Sequence, residues 1–384
     1  MPGVTTIDEV LRLRLCRQLI ERPANAIASR VADPAGVVAR LTAMEAQDYL
    51  GALWSVGLRC APGTTAADVE TAIAHGRIVR TWPMRGTLHF VAPEDVRWML
   101  EMLAPRVIAR SAGRYAQLDL TDHDFSRARD LLTEALAGGG AFTRAESLAL
   151  FESGGIDTAG QRGYHILGRL ALEGVLCLGP MRGRQQSFVL LDEWVPAVAG
   201  SAPAHGPARA EDRADALARL AARYFEAHGP ATLADFAWWA GITRTDARAG
   251  LEAASPSLER VAVEDADYWA PPDALAGASS PSEGAPTVQM LPGFDEYMLG
   301  YTDRSLQLGE HQRTYGSSVS ANGTFSPTIV VDGRIVGTWR RSLARDRVEI
   351  ATVTFRDLST LEKRGLAATA ERYGRFLGKE AVVS

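Results

Sequence analysis

The pattern of apolar and polar positions is clearest in the middle of the chain. Thr143 and Glu146 stand at the spacing of a capping box and predict the start of a short helix that ends at Gly154. A second helix is predicted to begin near Thr158 and to stop at Gly174, because apolar residues recur within it at helical spacing. The residues predicted to face a core from this second helix are Tyr164, Leu167 and Leu170.

Another face of the second predicted helix is polar. It carries Gln161, His165 and Arg169 at intervals of four residues, with Arg162 beside them. Two strands, 175–178 and 187–191, follow around a turn that contains Arg182 and Arg184. Two helices and a two-stranded wing form a winged helix-turn-helix, which can place a helix in the DNA major groove and the wing on the backbone. These six residues are candidate DNA contacts, and a protein–protein module is the alternative reading.

The same order of elements returns further along the chain. Asp212 to Ala227, a segment capped by Thr232, and Thr243 to Ala253 are predicted helices. Two strands follow them around an acidic turn at 265–267, so this third unit has a wing tip unsuited to phosphate. Helical apolar stripes at the N-terminus predict one more unit of this kind.

Strand predictions near both ends of the chain add candidate contacts. Arg85 to Val91 is predicted as a strand that follows a break at Trp82–Pro83, and Arg85 is a candidate DNA contact. Asp332–Gly333 predicts a hairpin with a type I′ turn. Arg340 and Arg341 come next on a strand, where neighbours alternate faces, so at most one of these two candidates would meet DNA.

Stretches rich in Pro, Ala, Gly and Ser at 196–210 and 270–286 predict linkers. The resulting fold prediction is α+β, with tandem winged helix-turn-helix units and a β-rich C-terminal segment. The predicted boundaries are 1–115, 116–195, 209–270 and 287–384, the last with a hairpin and a final helix.

Composition and charge narrow the class of protein. The 384 residues carry a formal net charge of −5, with 46% hydrophobic residues, as in an ordinary globular protein. Three cysteines form no CxxC pair, and no HExxH, GxGxxG or Walker motif is present, so we expect no metal and no nucleotide cofactor. The N-terminus lacks the apolar core of a signal peptide, and no segment is predicted to span a membrane. We expect a cytoplasmic protein.

Four segments carry a resemblance to a known family: RLTAMEAQDYLGALW (40–54), VRTWPMRGTLHFV (79–91), MLPGFDEYMLGYTDR (290–304) and VVDGRIVGTWRR (330–341). They resemble the AlkZ/YcaQ-type winged-helix DNA glycosylases. The resemblance implies tandem winged helices that close into a C shape around duplex DNA. It also implies excision of bulky alkylated bases or unhooking of interstrand crosslinks.

The resemblance also implies catalytic positions. The family signature is Gln, an apolar residue, then Gln or Asp, and it falls on Glu45, Ala46 and Gln47, so that a carboxylate replaces the first amide. Residues i and i+2 point the same way only in an extended or turning segment, which requires the preceding helix to end near Glu45. An oxocarbenium-like sugar needs a nearby carboxylate and a held water. Glu45 would stabilise the charge or act as base, and Gln47 would hold the water.

A bifunctional glycosylase needs an amine, and the only lysines are Lys363 and Lys379, with the amine of Pro2, exposed if Met1 is removed, as the other candidate. The simplest reading is a monofunctional glycosylase that acts on double-stranded DNA as a monomer. The alternative is that Glu45 is a solvated acid and the protein binds DNA without cutting it, as a regulator or damage sensor. Asp295 and Glu296 are interpreted as structural carboxylates.

Overall fold

The computed structural model describes residues 6–21, 33–196, 210–263, 266–272, 285–317 and 325–384. The chain forms two compact units, Met1–Val69 with Leu217–Ser384, and Glu70–Ala216. Pro2 and most of both predicted linkers lie outside the described residues. The four predicted domain boundaries remain a prediction.

The first unit is built on a five-stranded sheet. Its strand order is Glu380–Val383, Arg347–Thr354, Arg334–Leu343, Thr328–Val331 and Val288–Leu291. Neighbouring strands are antiparallel except at the C-terminal edge, where Glu380–Val383 runs parallel to its neighbour. A short strand, Ala43–Glu45, and a hairpin of Glu259–Val263 and Ala266–Ala270 complete the strands described in this unit.

Two helices and a strand of this sheet supply the aromatic core of the unit. The rings of Trp54, Trp339, Tyr373 and Phe376 pack with centroids 5.0–5.2 Å apart. The α-helices lying wholly within this unit are Ile7–Arg17, Pro34–Leu41, Tyr49–Gly57, Leu233–Ala240, Arg244–Ala254, Glu296–Leu299, Ser305–Leu308, Gln312–Gly316 and Thr360–Leu377. Short 3-10 turns span Ser255–Ser257 and Gly309–His311, and two helices, Ala66–Ala74 and Ala210–His228, contain the unit boundaries.

The second unit combines a mainly antiparallel sheet with helices on its faces. The strand order is Thr87–Val91, Val79–Met84, Leu176–Arg182, Gln185–Leu190 and Phe142–Thr143. Its helices are Pro93–Gln117, Asp122–Leu136, Arg144–Ser153, Arg162–Leu172 and Leu191–Trp194. The capping box of Thr143 and Glu146 is present, so the predicted start of that helix is confirmed.

The predictions around the first hairpin of the second unit are wrong in detail. Trp82–Pro83 is not a break but lies inside the strand Val79–Met84, where a register irregularity accommodates the proline. The chain turns instead at Arg85–Gly86, both with positive φ, as a type I′ turn requires.

The apolar stripe predicted for the helix Arg162–Leu172 also needs correction. Tyr164 is 43% exposed, whereas Ile166, Leu167 and Leu170 are buried. Three residues turn a helix by about 300°, which is less than a full turn. Two such steps separate Tyr164 from Leu170, so the two side chains lie on different faces. The helix begins at Arg162 rather than near Thr158.

The hairpin at Asp332–Gly333 has positive φ at both residues, so the predicted type I′ turn is confirmed. This turn is packed inside the first unit, because a Cβ on Gly333 would lie 2.7 Å from the Cβ of Leu11. The exposed hairpin end of this sheet is the next turn, between Leu343 and Arg347.

Candidate active site and nucleic-acid interface

The segment that holds Glu45 is extended, as the predicted motif requires. Asp33 caps the helix Pro34–Leu41, and Thr42 ends it at a φ of +70°, a conformation that residues other than glycine seldom adopt. The chain then runs as the strand Ala43–Glu45. The helix therefore stops four residues before Glu45, and the geometric condition on the motif is met.

Glu45 and Gln47 differ in exposure but are in contact. Glu45 is only 4% exposed, and its carboxylate Oε1 accepts a hydrogen bond of 3.1 Å from the backbone N–H of Gln47. The side chain of Gln47 is exposed. A buried carboxylate thus binds the backbone of a residue whose side chain faces solvent.

Glu296, 251 residues further along the chain, binds the backbone of Glu45. Its Oε1 accepts from the N–H of Glu45 at 3.0 Å, and its Oε2 accepts from the indole Nε1–H of Trp239 at 2.9 Å. The His228 Nε2 lies 3.4 Å from the same Oε2. His228, Trp239 and Glu296 are all fully buried, so this network is shielded from water.

Asp295 has a different set of partners from its neighbour. Its two oxygens accept from both Nη atoms of Arg59 at 2.7 Å, and Oδ2 also accepts from the hydroxyl of Ser55 at 2.6 Å. Asp295 and Arg59 are fully buried. The structural interpretation of Asp295 fits these contacts, which tie the segment after Leu291 to Ser55 in the helix Tyr49–Gly57 and to Arg59 just beyond it.

Asp48 lies at the rim of a small recess beside Glu45. Both carboxylate oxygens of Asp48 accept from Arg341 Nη2 at 2.9 Å. A Cβ on Gly51 would lie 2.5 Å from Asp48 Oδ2 and 3.3 Å from the Cβ of Pro292, so the absence of a side chain there lets the segment of Pro292 approach the helix Tyr49–Gly57. The recess is lined by Glu45, Asp48, Ser55, Pro292 and Phe294.

Arg340 and Arg341 take opposite faces of their strand, as the alternation predicted. Arg341 is half-buried and holds Asp48, whereas Arg340 is exposed. Of this pair, only Arg340 has its guanidinium on the solvent side.

Two of the candidate arginines, both on the helix Arg162–Leu172, form hydrogen bonds within the protein. Arg162 donates to the carbonyl oxygens of Leu118 and Asp119. Arg169 donates to Glu173 Oε1 at 2.6 Å, with its guanidinium 5.0 Å from the ring centroid of Phe125. These contacts stabilise the second unit itself.

The two other candidates on this face are more accessible. Gln161 is exposed, and its amide oxygen accepts from Arg114 Nη2 at 2.8 Å. His165 is half-buried, and burial together with the charge of Arg114 lowers its pKa. His165 is therefore neutral at pH 7 and offers a hydrogen bond rather than a positive charge.

The hairpin tips of the second unit carry the remaining candidates. Arg184 is exposed in the wing turn, while Arg182 donates to Glu146 Oε2 at 2.5 Å and to the Ala141 carbonyl. Arg85 is half-buried at its own turn, with Nη2 3.1 Å from His89 Nε2. The wing therefore presents Arg184 as its freely accessible cation.

Comparison with known proteins decides the class. A family model described as DNA glycosylase AlkZ-like matches residues 38–376. The chain belongs to the AlkZ-like DNA glycosylase family. Both the sequence resemblance and the prediction of a DNA glycosylase are thereby confirmed.

A relative and a solved structure, both from Streptomyces sahachiroi, are similar to this AlkZ-like glycosylase. It is 29% identical over 389 residues to the interstrand DNA cross-link repair glycosylase of Streptomyces sahachiroi, with 96% of each chain covered. The solved structure of the Streptomyces sahachiroi DNA glycosylase AlkZ matches it over 100% of both chains with a TM-score of 0.77, at 24% identity. The mixed helix and strand fold is that of the AlkZ structure.

Sequence analysis missed a basic stripe on this glycosylase. Arg106, Arg110 and Arg114 are exposed at intervals of four residues on the C-terminal half of helix Pro93–Gln117. Residues 105–118 contain no carboxylate, and Tyr115 is the only fully buried residue among 105–117. The signal was available as an i, i+4, i+8 repeat of arginine.

The basic stripe lies beside other candidates. A Cβ on Gly86 would lie 3.4 Å from Val107, so the turn of Arg85 packs against the same helix. Arg114 reaches Gln161. The turn of Arg85 and the side chain of Gln161 therefore both contact the helix that carries the basic stripe.

Within the described part of the chain, no group of three His, Cys, Asp or Glu side chains is arranged to hold a metal ion. None of the helices described is both long and apolar enough to cross a membrane.

Proposed function

We propose that this glycosylase hydrolyses the N-glycosidic bond of alkylated or crosslinked bases in double-stranded DNA, with Glu45 and Gln47 as its catalytic residues. The bond to the base breaks, a water oxygen bonds to the sugar carbon, and the base leaves with the bonding electrons. The name of the Streptomyces relative, a cross-link repair glycosylase, supports bulky or crosslinked lesions as the substrate class.

The observation that carries the proposal is the buried Glu45 carboxylate held by the Gln47 N–H at 3.1 Å. A carboxylate fixed by a backbone donor needs no reorganisation when positive charge develops on the sugar. Glu45 stabilises that charge or takes the proton of the attacking water, and the exposed amide of Gln47 holds the water. The glutamine that the family has at position 45 supplies no such negative charge.

Binding to DNA is assigned to cations that face solvent. The exposed ones are Arg106, Arg110, Arg114, Arg184 and Arg340, the half-buried Arg85 is assigned beside them, and Gln161 adds a neutral contact. Arg162, Arg169 and Arg341 are given internal roles, because their guanidinium groups bind protein oxygens. Arg182 is partly neutralised by Glu146, and His165 can contribute only a neutral contact.

The proposal also includes winged-helix units within the fold. In the second unit, the helices Arg144–Ser153 and Arg162–Leu172 with the hairpin 176–190 have the order of a winged helix. The three helices from 210 to 254 with the hairpin 259–270 have that order too. A tandem winged-helix arrangement, its C shape, a monomeric state and a cytoplasmic location remain predictions.

The decisive test is Glu45→Gln, which restores the glutamine of the family signature. We expect excision from an alkylated or crosslinked duplex to fall by about 10²- to 10³-fold, the usual loss of one preorganised electrostatic contact. DNA affinity should stay level or rise, because an anion near phosphate is removed. Released base is measured under single-turnover conditions, and affinity is measured by fluorescence anisotropy.

Glu310→Gln is the matched control, because Glu310 belongs to the same unit and its side chain is 88% exposed. It should leave excision unchanged. Unchanged excision by Glu45→Gln would remove Glu45 from the mechanism. Absence of released base from every duplex, with tight DNA binding retained, would favour a non-catalytic damage sensor.

A further inference from the structure

Glu296 is a fully buried carboxylate whose two oxygens serve different donors. Oε1 accepts from the N–H of Glu45 at 3.0 Å, and Oε2 accepts from Trp239 Nε1–H at 2.9 Å. A carboxylate accepts at both oxygens, whereas a carboxamide accepts at one and donates at the other. The chemistry of this position therefore requires an acid, although its side chain is fully buried.

The surroundings of Glu296 hold its carboxylate in one place. Its neighbour Asp295 is fixed by the buried Arg59, and the Tyr297 hydroxyl donates to the carbonyl of Gly333 at 2.7 Å. A Cβ on Gly300 would lie 2.6 Å from His228, so the short helix Glu296–Leu299 packs tightly against that ring. His228 in turn stacks on Tyr224 with centroids 4.8 Å apart.

The segment that Glu296 binds needs such an anchor. Glu45 ends a three-residue strand that begins after the positive φ of Thr42. The Glu45 N–H lies in a buried position, where loss of its acceptor leaves an unsatisfied donor. The same residue carries the carboxylate that binds Gln47 N–H, so a shift of this backbone moves both motif residues.

We propose that Glu296 is a positioning residue for the glycosylase reaction: its carboxylate fixes the backbone of Glu45, and Trp239 fixes the carboxylate. This inference rests on the proposed catalytic role of Glu45. Glu296 touches neither the base nor the sugar. It acts by holding the Glu45 carboxylate and the Gln47 amide in the geometry that hydrolysis needs.

The first variant is Glu296→Gln, which keeps shape and removes one acceptor. Its amide must place N–H groups against either the Glu45 N–H or the Trp239 indole N–H. We expect the single-turnover rate of excision to fall by about 10- to 100-fold, the equivalent of an unsatisfied buried donor. The dissociation constant for lesion-containing duplex should not change, because Glu296 is buried away from solvent.

The second variant separates positioning from general damage to the core. In Glu296→Gln with Trp239→Phe, the indole donor is gone, so the glutamine carbonyl is free to accept from the Glu45 N–H. We expect this double variant to excise about tenfold faster than Glu296→Gln alone, even though Trp239→Phe opens a cavity and lowers stability. A merely structural role predicts a double variant no faster than Glu296→Gln alone, because Trp239→Phe only removes further packing from the core.

A third comparison covers the case in which Glu296→Gln alone does not fold. In a Trp239→Phe background, Glu296→Gln retains an acceptor for the Glu45 N–H and Glu296→Leu does not. We expect the glutamine variant to excise at least tenfold faster than the leucine variant at equal DNA affinity. Equal rates of excision by these two variants would overturn the proposal.

The remaining outcomes distinguish this inference from the proposed function. If Glu45→Gln is inactive while Glu296→Gln excises at the wild-type rate, Glu296 has no positioning role and the catalytic assignment stands. A slow Glu296→Gln variant that Trp239→Phe fails to restore would also overturn the inference. If Glu45→Gln retains full activity, the catalytic assignment and this inference fall together.

Discussion

Asp295 and Glu296 are adjacent acids with separate tasks, because different donors reach them. Asp295 neutralises the buried Arg59 guanidinium, which would otherwise be an uncompensated charge. Glu296 accepts from the Glu45 backbone N–H and the Trp239 indole N–H, and in our proposal it sets the position of Glu45. The direction of each side chain, rather than its chemical type, therefore decides its role.

Glu362 gives a pH prediction at the same scale. Hydrogen bonds from Arg356 and from the Ser359 backbone lower the pKa of Glu362 to about 2. Because the folded pKa lies below the unfolded one, this carboxylate stabilises the fold above about pH 4.3 and ceases to do so as the pH falls through 2. We expect Glu362→Gln to melt at a lower temperature than wild type at pH 7, with the gap closing between pH 4 and pH 2.

The gap is measured by circular dichroism melts of both proteins at matched pH values. Glu310→Gln, with its exposed side chain, should show little gap at any pH. A melting difference for Glu362→Gln that stays constant down to pH 2 would contradict the assigned ion pair with Arg356.

Local chemistry made several elements of this protein predictable. The capping box of Thr143, the type I′ turn at Asp332–Gly333 and the three helices after residue 210 follow from residue types at short spacing. Trp82–Pro83 misled the prediction because a proline signals a break unless a neighbouring strand accommodates it. Tyr164 misled it because apolar spacing does not show which residue of a stripe lies at its edge.

The basic stripe of Arg106, Arg110 and Arg114 yields a prediction at the scale of one helix. Four residues advance a helix by about 6 Å, so the three guanidinium groups form a ridge able to meet successive phosphates. Binding through such contacts releases counterions, with a slope of log affinity against log salt near −0.9 per phosphate. We expect Arg110→Ala to weaken duplex binding and to reduce the steepness of that slope by about 0.9.

Arg375→Ala is the matched control, since Arg375 is an exposed arginine that lies 3.6 Å from Glu371 on the last helix. Its slope should equal that of wild type. Fluorescence anisotropy across a salt series measures both variants, and an unaltered slope for Arg110→Ala would remove the stripe from the DNA interface.

The candidate site shows what sequence alone could not supply at the scale of the whole molecule. The pair Glu45 and Gln47 was found because the family signature is local. Glu296 lies 251 residues from Glu45, and its contact depends on how the first unit folds. A carboxylate in the FDEY segment gives no sign of which buried N–H it will meet, so its role emerges only from packing.

The reaction product tests the whole mechanism. A lyase step needs an amine at the sugar, and the only two lysines are Lys363 and Lys379. The Lys379 ammonium donates to the carbonyl oxygens of Ala344 and Arg345 at 2.8 and 2.6 Å, so it secures the exposed hairpin turn. We expect excision to leave an intact abasic site, seen on a gel as strand breaks only after hot alkali, with no adduct trapped by borohydride. Breaks without alkali, or any trapped adduct, would replace the water mechanism with a Schiff base, and loss of the adduct in Lys363→Ala or Lys379→Ala would assign it to that lysine rather than to the amine of Pro2.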